Sequence, residues 1–182
     1  MAVNKYVRDY EIVTQQDKNG RESQTLKYLG DLYYIEFEKG DLNFYRKTSL
    51  LVLFFSLMLH FGAGFTNNDG MRQFFVAIPY VAAYLPFFYF CTGLANLPGK
   101  HPPYRRDRVE LSFKRIRSAN YYLFVLLTAV VVGESIFLLF FTSDGNSRLD
   151  YQFLLLELIA ATAQGMSARM HKSILINKQA EG

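Results

Sequence analysis

The chain has 182 residues, 51% of them hydrophobic and 16% aromatic, and a formal charge of +4. Its mean hydropathy of +0.04 averages two unlike parts, a charged stretch over residues 1–47 and a mostly apolar remainder. A single cysteine, Cys91, excludes an intramolecular disulfide, and interspersed acidic residues without any recognised module argue against nucleic acid as a partner.

Residues 1–47 read as a cytosolic, β-rich segment. YVRDYEIVTQQ alternates polar and apolar residues, DKNG is a turn signal, and SQTLKYLGDLYYIEF returns as a second extended run. The pattern predicts a β-hairpin, or a three-stranded sheet with a third short strand at 31–37. So few strands are marginal alone, so the sheet is expected to lean on the helices or on a partner.

Residues 48–182 read as a transmembrane domain. Four stretches, about 48–65, 74–97, 119–142 and 149–168, approach the roughly 20 apolar residues that cross a hydrocarbon core. The chain opens on charged residues rather than a cleavable signal, so the first stretch is expected to drive insertion. Eighteen of the twenty Lys/Arg fall before the first stretch, between the second and third, or after the fourth. Only Arg72 and Arg148 fall in the other two connections. The positive-inside rule then places both termini in the cytoplasm, for a protein of the plasma (inner) membrane. The expected fold class is an all-α integral membrane protein, an up-down-up-down four-helix bundle with a small cytosolic sheet.

Between the second and third stretches, LPGKHPPY is an irregular turn, and RRDRVELSFKRIRS sets Val109, Phe113 and Ile116 at helical spacing among basic residues. This predicts an amphipathic helix at the membrane surface, running into the third span. Arg105, Arg106, Arg108, Lys114, Arg115 and Arg117 are the candidate contacts to anionic lipid headgroups.

Three ionisable residues lie inside apolar runs, where they are costly and usually face the bundle interior. Glu134 lies eight residues before Thr142 and Glu157 eight residues after Leu149, so both are expected about 12 Å below the outer end, at one level. His60, five residues before Phe65, reaches toward the same layer. Glu157, Ala161 and Gly165, and likewise Ser56, His60 and Gly64, recur at intervals of four, a small-residue spacing that allows close helix approach. The candidate intramembrane polar site is therefore His60, Glu134 and Glu157. Such a set suits a proton, a divalent cation or a cationic substrate. Alternatively, each glutamate is a neutral structural group bonded to a Ser, a Tyr or a backbone carbonyl. No metal-binding motif spacing occurs, so the metal question stays open. Pro79 and Pro86 share a face of the second stretch, where Tyr80, Tyr84 and Tyr89 offer hydroxyls to the carboxylates.

No G-x-S-x-G, P-loop, CxxC or zinc-type cluster is present, so no catalytic residue and no cofactor are expected, and an enzyme is the lesser expectation. His101 and His171 read as polar residues at the cytosolic border. The favoured function is a small polytopic protein acting by binding, as an accessory or scaffold subunit, with lipid, a membrane protein or a second copy as partner. The alternative is a small proton- or cation-coupled transporter or channel, working as an oligomer.

Overall fold

A computed structural model describes residues 7–16, 22–37, 41–99, 102–141 and 147–178. The protein is mostly helical with a small N-terminal sheet. Helices α1 (Leu42–Ala63), α2 (Phe74–Ala95), α3 (Arg106–Phe140) and α4 (Ser147–Lys172) account for most of it. Of these, α1, α2 and α3 are long and apolar enough to cross a membrane.

The start of α1 moves from its expected place. Asp41 caps α1, its Oδ1 accepting from the Phe44 amide at 2.8 Å, so the helix begins at Leu42 rather than near residue 48. This extra turn buries Leu42 and Tyr45. The basic segment runs into the third long helix without a break, as expected, but its apolar face does not lie on the membrane surface. It is the first part of α3, 35 residues long, and passes through a π-turn at Glu110–Lys114. Val109, Phe113 and Ile116 are buried; the Phe113 ring lies 5.7 Å from Tyr45, 6.2 Å from Phe37 and 6.4 Å from Tyr104. The apolar face expected on lipid is covered by the protein's own core.

Helix α3 packs along α2 and α4, and α4 along α1. Pro79 and Pro86 both lie inside α2. Proline lacks the amide that would bond the carbonyl four residues earlier. For Pro79 that carbonyl belongs to Phe75, and it rests against Gly133 of α3, where an added Cβ would stand 2.9 Å away. Glycine is what lets the two backbones come so close.

Strands β1 (Tyr10–Gln16) and β2 (Glu22–Tyr28) form the expected antiparallel hairpin, with Tyr10 opposite Tyr28 and Ile12 opposite Leu26. The third strand, β3 (Leu32–Glu36), leaves it. Strand β3 is the centre of a separate sheet, flanked by β4 (Tyr104–Arg105) and by β5 (Leu175–Lys178). The reason is burial. In this position Ile35 and Phe37 pack on the main core with Ile176, whereas the hairpin leaves Ile12 and Leu26 exposed. This second sheet ties the N-terminal part, the α2–α3 connection and the segment after α4 to one end of the bundle.

Candidate functional site

The structure brings two of the three expected site residues together and sends the third elsewhere. His60 of α1 and Glu157 of α4 are fully buried, with His60 Nδ1 2.9 Å from Glu157 Oε1. On the other side of the ring, His60 Nε2 lies 3.2 Å from the Tyr80 carbonyl of α2. The Tyr80 hydroxyl donates back to the His60 carbonyl at 2.8 Å and lies 3.3 Å from the Tyr84 hydroxyl. The imidazole also faces the rings of Tyr80 at 4.2 Å, Tyr84 at 4.9 Å and Phe87 at 5.5 Å.

A carbonyl oxygen only accepts, so Nε2 must carry a hydrogen to bond Tyr80. The bond between Nδ1 and Oε1 needs one more. That single proton makes either a neutral imidazole with a carboxylic acid or an imidazolium with a carboxylate, and both sum to zero charge. A site of zero net charge is the form that a low-dielectric interior tolerates best. Glu157 Oε2 is buried without a hydrogen-bond partner.

Glu134 belongs to another layer. Its Oε1 accepts from Asn68 Nδ2 at 3.3 Å, and its carboxyl fills the place where Gly70 would carry a Cβ. Nearby, Asp150 Oδ1 accepts from the Asp69 amide at 2.8 Å and the Gly70 amide at 3.5 Å. Two acidic side chains from α3 and α4 thus hold the α1–α2 connection. The expectation of one shared level rested on helix ends that shifted. With α3 ending at Phe140 and α4 starting at Ser147, Glu134 lies about 9 Å and Glu157 about 15 Å from those ends. Neither glutamate bonds the other; each has its own partner.

Asp150, Glu157, Gln164 and His171 recur every seven residues on α4, and all four are buried. Of these, the sequence pattern singles out Glu157 and sets His171 at the cytosolic border, and it assigns neither Asp150 nor Gln164. The seven-residue spacing was the signal that would have found them. Asn120 Nδ2 donates to Gln164 Oε1 at 2.5 Å, and Ser167 Oγ lies 3.0 Å from His171 Nε2. The His171 ring packs against Tyr45 and Phe90. Gly165 faces Phe124 of α3, so the small-residue spacing on α4 serves the α3 contact as well.

Several of the basic residues have partners of their own. Arg105 lies over the rings of Tyr10 and Tyr28, and Arg106 Nε donates to Glu110 Oε1 at 3.2 Å. Arg117 donates to the carbonyls of His171 at 3.1 Å and Ile174 at 2.8 Å, fastening the end of α4. Tyr89 meets Arg115 rather than a carboxylate. Among the described residues, no group of three His, Cys, Asp or Glu is arranged to hold a metal ion.

No protein-family model, curated protein or solved structure matches this chain.

Proposed function

We propose that the protein is an integral protein of the plasma (inner) membrane, with four spanning helices and the sheet end in the cytoplasm. It acts by binding, as an accessory or scaffold subunit of a membrane complex. Three helices meet the requirements of length and apolarity. Parity supports the fourth. Because β3 pairs with both β4 and β5, the chain returns to the sheet end after α2 and again after α4. If α3 crosses a membrane, α4 must cross back. Asp150, Glu157, Gln164 and Ser167, polar residues that lower the hydropathy of α4, are buried, while Leu155, Leu158, Ile159 and Met166 face outward. The charge asymmetry favours the sheet end as the cytoplasmic one.

The observation that carries the binding role is the contrast between inside and outside. Interior polar groups bond helix to helix, or helix to connection, within the chain, while Phe54, Phe61, Ile78, Val81 and Phe88 stand exposed. An interior joined in this way suits a scaffold better than a path for an ion. A cavity of about 820 Å³ lies on the flank of the bundle, between α2 and α3.

Two measurements test this. In a Cys91→Ala background, Asn67→Cys should react with an impermeant thiol reagent from outside intact cells. Thr25→Cys and Asn177→Cys should react only after permeabilisation. Outside labelling at position 177 would overturn the four-span topology, and at position 25 the orientation. For the binding role, proteoliposomes holding the purified protein should show no proton or cation flux under an imposed gradient. In mild detergent the protein should run as part of a larger complex. A flux abolished by Glu157→Gln would favour the coupled-transporter reading instead.

A further inference from the structure

A cavity of about 820 Å³ lies between α2 and α3 on the outer face of the bundle. It exists because the residues at its floor are small: Ala82 and Pro86 from α2, Ser118 and Ala119 from α3. Leu85 and Leu126 wall its apolar end. Glu110, Lys114 and Arg115 rim the other end, which is the one nearer the sheet. Both helices line the apolar part, and the charged rim comes from α3.

The charges at the rim are unbalanced. Glu110 Oε1 is held by Arg106 Nε at 3.2 Å and by Lys114 Nζ at 3.7 Å. Arg115 contacts Thr92 Oγ1 at 3.4 Å and lies 6.0 Å from the centre of the Tyr89 ring. Among the described residues, the lining therefore carries two cations, Lys114 and Arg115, and one carboxylate, which Arg106 also holds. Lys114 is half exposed, and the Arg115 guanidinium has five donors, a fork suited to phosphate oxygens.

The dimensions agree with this polarity. From Lys114 to Leu126 is twelve residues of α3, about 18 Å, close to the half-thickness of roughly 15 Å for a bilayer core. The volume falls within the roughly 300–1,000 Å³ of small-ligand pockets. A ligand matching all this has an anionic head at the rim and an alkyl chain along the small-residue floor.

We propose that the α2–α3 groove binds one anionic phospholipid from the leaflet at the sheet end, its phosphate held by Lys114 and Arg115. The proposal rests on the membrane reading above and adds to it a defined site with a charge preference. Bound lipid would fill a hollow that the side chains of the bundle leave, and so join α2 to α3 along the outer face.

The test uses the full chain in neutral detergent, titrated with phosphatidylglycerol or phosphatidylcholine and followed by native mass spectrometry. Phosphatidylglycerol should be retained preferentially. The double variant Lys114→Gln, Arg115→Gln should bind it about thirty-fold more weakly, from roughly 1 kcal/mol for each charge near the surface. Ala82→Phe should block retention by filling the floor. Ser118→Leu tests the same point from α3 if the first variant folds poorly. Equal retention of both lipids, or undiminished phosphatidylglycerol binding by the charge and floor variants, would overturn the site. So would a floor variant that changes the oligomeric mass but not the lipid count, since a helix would then occupy the groove. Thiol labelling at positions 67 and 177 decides the membrane reading separately. Correct labelling with failed lipid selectivity removes the groove proposal alone.

Discussion

Replacing His60 with leucine is expected to destabilise the protein by about 3 kcal/mol, measured by thermal or denaturant unfolding in detergent. The substitution removes the partner of a fully buried carboxyl group and also leaves the Tyr80 carbonyl without the imidazole donor. Glu157→Gln should behave very differently. A glutamine amide can donate to Nδ1 of the neutral imidazole, so the bond survives without the shared proton. Stability should then change by less than about 1 kcal/mol. Glu157→Leu should fall between the two, since only a neutral ring nitrogen loses its partner. A His60→Leu variant as stable as the parent would show that this pair contributes nothing to holding α1 against α4. If Glu157→Gln unfolds as readily as His60→Leu, the pair is an ion pair and not a neutral hydrogen bond.

The second large effect is expected at Gly133. Any Cβ there meets the Phe75 carbonyl at 2.9 Å and Val76 Cγ2 at 3.3 Å. The first of these is backbone and cannot turn aside. Gly133→Leu should therefore cost about 3 kcal/mol, the upper part of the usual range for overpacking. Gly62 supplies the opposite sign in the same type of element. Nothing lies within 4 Å of a Cβ at Gly62, so Gly62→Ala should stabilise α1 by about 0.5 kcal/mol through reduced chain entropy. Both variants can be followed by the same unfolding assay. If Gly133→Leu unfolds like the parent, α2 and α3 do not meet closely at that level.

The polar interior was partly legible in the chain. Glu134 and Glu157 stood out because a carboxylate within an apolar run has few tolerable surroundings. His60 was joined to Glu157 by inference from depth, and the two do meet. Glu134 was placed at the same depth by the same arithmetic, and it meets Asn68 instead. Depth from residue counting depends on where helices end, and a shift of two residues at each end changed the layer. Asp150 was missed because it sits beside a loop in sequence, where an acidic residue looks ordinary. Only the fold turns it under the α1–α2 connection to accept two backbone amides.

The sequence by itself determined the helices and the hairpin, because both follow from local pattern. Runs of apolar residues near membrane length mark the four helices, and alternation around a turn signal marks β1 and β2. The asymmetry of Lys and Arg was likewise readable without a structure. Tertiary structure alone decided the partners. Strand β3 had the composition to extend the hairpin, but burying Ile35 and Phe37 required β4 and β5, which come from distant parts of the chain. The face of Val109, Phe113 and Ile116 could have lain on lipid, but its Phe113 lies on Tyr45, which the earlier start of α1 supplies, and on Tyr104, which β4 brings in by pairing with β3. Periodicity states which residues share a face. What that face meets is settled by which burial is largest once every segment is in place, and no local stretch holds that information.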